Sequence, residues 1–186
     1  DLQYKDAKIP WNLEGIKAPE AWRKEKAFGQ GVTVAVIDSG ILPTPSLAHA
    51  LWKNPKETFN RKDDDGNGFV DDVHGVAVVS ESFSHSGDPA DDNGHGTHVA
   101  GIIAATADND IGGVGIAYNA KIMAIKAGQY SGILTTADIA EGIYYAVDNG
   151  ADVINMSFGG YGRAQVEEDA LATAFAQAVL VAARKP

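Results

Sequence analysis

Residues 32 to 37, Val-Thr-Val-Ala-Val-Ile, form a β-branched run without strict apolar-polar alternation, and the run ends on a carboxylate, Asp38. A strand wetted on one side alternates apolar with polar residues. A run of this kind instead belongs to a strand covered on both faces, as in a parallel sheet flanked by helices. Similar runs recur at 75–79, 120–127, 152–156 and 179–183, so five strands are predicted. Helical patterns lie between most of them. The spacing predicts a helix over 136–148, with Ile139, Ile143, Ala146 and Val147 on one stripe. Thr135 and Asp138 make a capping-box pattern before it, and Gly150 suits a left-handed C-terminal cap. A second helix is expected at 165–178, with Glu167, Glu168 and Asp169 in its first turn and Leu171, Phe175 and Ala178 turned inward. A third begins near His95, where Thr97, Ala100, Gly101, Ala104 and Ala105 form a stripe of small side chains that admits close backbone packing. Strands alternating with helices imply an α/β fold with a parallel sheet, here one domain over 1–186, with functional groups gathered beyond the carboxyl ends of the strands.

Composition narrows the functions open to such a fold. A formal charge of -10 and the lack of any Lys/Arg cluster argue against nucleic acid as a partner. No apolar stretch approaches the roughly 20 residues that cross a bilayer, so no membrane partner is expected. The polar start Asp1-Leu2-Gln3-Tyr4-Lys5 has no signal-peptide core, and any targeting segment is expected to have been removed. The chain has no cysteine, so its stability must come from the core, with bound metal an additional source open to it.

Three elements carry chemistry. Asp38 stands at a strand end, and Gly40 lets the chain turn behind it; alone, such an Asp is more often a cap for the following loop. In Asp91-Asp92-Asn93-Gly94-His95-Gly96-Thr97-His98-Val99-Ala100-Gly101, His95 opens the small-residue helix between glycines. A general base needs that placement, because its ring must reach a hydroxyl while a carboxylate fixes its tautomer. His98, inside the helix, is expected to be a structural, hydrogen-bonded histidine. Zinc binding by His95 and His98 is disfavoured, since their i, i+3 spacing with no intervening Glu departs from H-E-x-x-H. The third element, Asn155-Met156-Ser157-Phe158-Gly159-Gly160, is either a plain strand-to-loop turn or an open edge against which a peptide backbone can pair.

Val-Ile-Asp-Ser-Gly and Asn-Gly-His-Gly-Thr-His-Val-Ala-Gly, in this order and followed by the Ser157 segment, closely resemble the subtilisin-like serine proteases, from about Ile9 to Ala183. The resemblance implies a three-layer fold around a seven-stranded parallel sheet, in which Asp38 orients His95. It also implies that Ser157, Phe158 and Gly159 line the cleft and pair with substrate backbone, and that Gly128 to Gly132 form the opposite wall. Peptides or proteins are the implied substrates, and secretion the family habit. The family's nucleophile lies in a Gly-Thr-Ser-Met-Ala motif that has no counterpart in these 186 residues. After the fifth strand the family continues Ala-Ala-Gly-Asn, whose Asn donates to the oxyanion; here Ala182-Ala183 is followed by Arg184-Lys185-Pro186. The expectation is therefore a peptidase domain truncated after about its fifth core strand, holding Asp and His but not Ser and inactive alone. Its expected partners are a complementing C-terminal chain or a second copy through self-association. A noncatalytic pseudoenzyme that binds peptides is the rival reading. A nucleotide-binding domain is excluded, because Asp38-Ser39-Gly40-Ile41-Leu42-Pro43 is no phosphate loop.

The acidity is concentrated in one run. Asp63-x-Asp65-x-Asn67-Gly68-Phe69-Val70-Asp71 has the spacing of the first nine positions of a calcium loop, with His74 where the twelfth position expects Glu. The spacing predicts a structural Ca²⁺ held by Asp63, Asp65, Asn67, Phe69 and Asp71, against the alternative of a solvated acidic turn. The family resemblance adds a second calcium position at Asn109, where Ser46 replaces the usual acidic ligand.

Overall fold

A computed structural model of the chain describes residues 10–80, 84–160 and 162–183. In chain order the elements are α1 (Trp11–Gly15), α2 (Ala18–Glu25), β1 (Thr33–Asp38), β2 (Gly75–Val79), β3 (Ser84–Ser86), α3 (His95–Ala104), β4 (Lys121–Lys126), α4 (Thr136–Asp148), β5 (Val153–Met156), α5 (Gln165–Ala176) and β6 (Leu180–Ala183). The sheet order is β3-β2-β4-β1-β5-β6; every pairing is parallel except that of β3 with β2. The predicted parallel strands are all present. The antiparallel edge strand is an addition, and its short polar sequence, Ser-His-Ser, carries no strand signal.

Residue alternation shows why the central strands lack polar positions. Val34 and Val36 of β1, with Ile122 and Ala124 of β4, pack on Ala100 and Ala104 of α3. Ala35 and Ile37, with Met123 and Ile125, pack on the other face against Ile139, Ile143 and Ala146 of α4. Both faces of the sheet are therefore dry, and each fully buried Ile or Val contributes about 1.5–3 kcal/mol by leaving water. This makes a three-layer α/β arrangement. A third, smaller cluster joins Leu13, Ala18 and Trp22 of the first helices to Phe28, Val114 and Tyr118, with the Trp22 indole donating to Ile116 O at 2.9 Å.

Two local expectations change. Thr135 does cap α4, accepting from the Asp138 N–H at 3.2 Å, but Asp138 does not reach back. Its buried carboxylate accepts from Ser80 N instead, tying α4 to the end of β2, so only half of the capping box forms. On α5 the buried residues are Ala170 and Ala174, whereas Phe175 is 63% exposed and Ala178 lies beyond the helix in a left-handed conformation. The helix sits on α4 through its small side chains, which turns the neighbouring Phe175 outward. Arg184 to Pro186 lie outside the described residues.

Candidate functional site

The site forms at the carboxyl edge of the sheet. β1 ends on Asp38, paired in register with Lys126 at the end of β4, and the register Val36↔Asn155 with β5 brings Ser157 level with Asp38 two residues on. Loops after three adjacent strands therefore open on one rim, where parallel sheets bind their ligands.

Asp38 is buried at 4% exposure, and both its oxygens face the His95 ring, with Nδ1 at 2.8 and 2.9 Å. The ring N–H donates to the carboxylate, and Ser39 N donates to the same Oδ1 at 2.7 Å. The His95 side chain is 51% exposed, so the imidazole is anchored at one nitrogen and open at the other. Such a pair can accept a proton at Nε2 while the carboxylate fixes the tautomer and stabilises the imidazolium.

Helix α3 comes this close because of glycine. A Cβ on Gly96 would lie 2.2 Å from Gly40 O and 3.1 Å from the Asp38 Cβ, so no other residue fits between the helix start and β1. Gly40 itself, at φ +110°, passes beneath Pro89 and Ala90, where a Cβ would meet Pro89 O at 2.6 Å. The loop before α3 is organised by Asp91, which the sequence reading did not single out. Its carboxylate accepts from the N–H groups of Asn93, Gly94 and Thr97, from the Thr97 hydroxyl, and from the Ser39 hydroxyl at 2.8 Å. Ser39 Oγ accepts in turn from Gly96 N at 2.9 Å, which joins the loop after β1 to the first turn of α3. Burial alone would raise the Asp91 carboxyl, but the donors from Gly94, Thr97 and Asn93 outweigh it and hold the group at about 2.

Lys126 is the second residue the motifs did not reveal. Its buried ammonium donates to Ser39 O at 2.7 Å, Asp92 Oδ1 at 2.6 Å and Gly128 O at 3.0 Å. One cation thus joins the Asp38 loop, the His95 loop and the chain after β4. Gly128 is buried, and a side chain there would press on Ser39, with Cα at 3.2 Å. Asn93 closes the other side by donating to Tyr130 O at 2.8 Å. Ser157 and Gly159 are exposed, Phe158 is half-buried against the core beneath α4, and Ser157 Oγ accepts from the Asn155 amide at 2.9 Å. His98 differs from the expectation of a structural histidine in that it is exposed. It faces away from the side on which α3 meets the sheet. A cavity of about 430 Å³ lined by Phe59, Val70, His74 and Pro89 includes neither Asp38 nor His95.

In the acidic loop the predicted ligands are largely occupied with their own backbone. Asp63 accepts from Gly66, Asn67 and Gly68 N–H, and Asp71 from Asn60 and Arg61 N–H. Asn67 Oδ1 accepts from Phe69 N, while its amide donates to Asp72. Asp65 alone of that set converges with other carboxylates, Glu57 and Asp72. Asn109 contacts Ser46, whose hydroxyl accepts from its amide at 3.4 Å, and among the described residues no cluster of three metal-ligating side chains includes it.

The sequence model of the subtilase family matches residues 29–184. Subtilisin-like protease 1 of Plasmodium vivax is 40% identical over 154 residues, which cover 81% of this chain and 24% of that protein. Minor extracellular protease Epr of Bacillus subtilis (strain 168) is 36% identical over 173 residues, 93% of this chain and 22% of its own. Intracellular serine protease of Paenibacillus polymyxa is 36% identical over 180 residues, 93% of this chain and 46% of its own. The chain thus spans less than half the length of each of these relatives.

Proposed function

The chain belongs to the subtilase family, and from that premise we propose that it is the Asp-His part of a serine endopeptidase whose nucleophile comes from sequence outside these 186 residues. The observation that carries the reading is the buried Asp38 carboxylate on Nδ1 of a half-exposed His95. His95 Nε2 takes the proton from the serine hydroxyl as it attacks the peptide carbonyl and returns it to the leaving amine. Asp38 keeps the proton on Nδ1 and stabilises the imidazolium. Substrate backbone lies between the Ser157-Phe158-Gly159 edge and the Gly128–Gly132 wall, and Phe158 supplies an apolar surface to a side chain. Protein outside the cell is the substrate, in keeping with the relative named as an extracellular protease; no helix among the described residues is long and apolar enough to cross a membrane. A structural calcium ion bound in the acidic loop completes this reading.

A fluorophosphonate probe tests the assignment. The 186-residue chain should not label, since loss of the nucleophile removes about six orders of magnitude in turnover. The natural protein that contains it should label on a serine beyond these residues, and His95→Ala should abolish that labelling. Labelling of the 186-residue chain itself, or labelling indifferent to His95→Ala, would sink the proposal. An unlabelled natural protein that still binds peptides would favour the pseudoenzyme.

A further inference from the structure

The inference rests on the calcium reading of the acidic loop. We propose that the cation is seated by Glu57, Asp65 and Asp72, not by the alternating Asp63-to-Asp71 positions that the sequence spacing suggests.

Each of these three side chains presents a carboxylate oxygen, and the three oxygens lie within 4.8 Å of one another. Glu57 is 2% exposed and Asp72 is fully buried. Among the described residues no Lys, Arg or His forms an ion pair with any of the three. What surrounds them is neutral: Asn54 Nδ2 donates to Asp65 and Asp72 at 3.3–3.5 Å, Asn67 Nδ2 to Asp72 at 2.9 Å, and the Tyr145 hydroxyl to Asp72 at 2.5 Å. These groups orient the carboxylates without neutralising them. A buried, like-charged set of this kind is costly unless an opposite charge sits among its members.

Glu57 supplies an independent observation. Its Oε1 accepts from Asp64 N at 2.6 Å and Asp65 N at 3.0 Å, which fixes the carboxylate, while the buried Oε2 has no hydrogen-bond partner. A buried carboxylate oxygen left unpartnered in the only such acidic group among the described residues is an open coordination position. The donors are all oxygen, with no Cys or His, which suits a hard cation of the calcium class and not zinc. Asp63 and Asp71 instead accept from backbone N–H groups of their own loop, and among the described residues neither belongs to a cluster of three metal-ligating side chains. Because Tyr145 belongs to α4 and Asp72 leads into β2, a cation here fastens the loop to the layer over the sheet and acts structurally, away from the His95 rim.

Calorimetric titration of the chelator-stripped 186-residue chain with CaCl₂ alone tests both levels. Glu57→Gln and Asp72→Asn, with folding checked by circular dichroism, should weaken binding at least about tenfold, whereas Asp63→Asn and Asp71→Asn should change it less than about threefold. A second measurement needs no variant: in a ¹⁵N NMR titration with Ca²⁺, the largest shifts should fall on the Asp64 and Asp65 amides and the Asn54 and Asn67 side-chain amides. Gly66, Gly68, Asn60 and Arg61 amides should move less. No binding at millimolar Ca²⁺ overturns the cation reading and this inference together. Binding that is lost in Asp63→Asn and kept in Glu57→Gln, or shifts centred on Gly66, Gly68 and Arg61, overturns the ligand set alone.

Discussion

The His95 rim and the acidic loop are both built from buried charge, yet they are finished in opposite ways. At the rim every buried ionic group meets complementary donors or acceptors from the protein: Asp38 the His95 ring, Asp91 a fan of N–H and O–H donors, and Lys126 three oxygens. In the loop, Glu57, Asp65 and Asp72 face one another, and one buried oxygen has no partner. The rim is therefore preorganised by the polypeptide itself, while in the loop three carboxylates converge with no cationic side chain among the described residues paired to them. If the proposals above hold, the difference follows from the work each region does: a catalytic pair has to hold its geometry before substrate arrives, whereas a structural cation site can wait for its ion.

The largest effect should come from cutting the rim's central cation. Lys126→Met leaves Ser39 O and Gly128 O without their donor and Asp92 without its counter-charge, and should cost about 3 kcal/mol in urea unfolding. Asp92→Asn is the control. Its side chain is 54% exposed, so its loss should cost no more than about 1 kcal/mol. A Lys126→Met protein as stable as the wild type would mean that the rim does not depend on this residue.

Calcium removal comes next, and it should separate the regions by location. With the ion at about a hundred times its dissociation constant, binding adds about 2.7 kcal/mol, so chelation should lower the melting temperature by several degrees. Hydrogen exchange should speed up in residues 54–72 and stay unchanged at Gly94 to Thr97. Uniform acceleration over both regions would mean that the rim depends on the ion as much as the loop does.

The same contrast explains what could be read before the structure. Asp38 and His95 were legible because their neighbours carry a demanding pattern: a doubly buried strand on one side, and on the other glycines that only a very close approach requires, as at Gly96. The parallel strands were legible because strands with two dry faces have no polar period. Lys126 was not, since a lysine at a strand end reads as solvated until the fold brings three oxygens around it. Glu57 was not legible because it lies before the acidic run, and Asp72, at the end of that run, falls outside the alternating spacing of a calcium loop; their convergence with Asp65 involves Asn54 and Tyr145 from a distant helix. Phe175 misled for a related reason: periodicity marks an apolar stripe on α5, but which side chains touch α4 is decided by how closely Ala170 and Ala174 allow the helices to approach.

Asp91 provides the smallest of the three effects and a pH test. Its folded value of about 2 lies below the ordinary carboxylate value near 3.9, so the ionised form is favoured in the native state. The stability it confers is complete above about pH 4 and is lost as the pH falls through about 2. Asp91→Asn should thus unfold about 1–2 kcal/mol more easily at pH 7, the range expected for a residue that caps a helix start through charged hydrogen bonds. The gap between variant and wild type should narrow steadily between pH 4 and pH 2. If the Asp91→Asn gap were independent of pH over this range, the fan of donors would not be selecting the charged form, and the loop before α3 would be held by its glycines and by Ser39 instead.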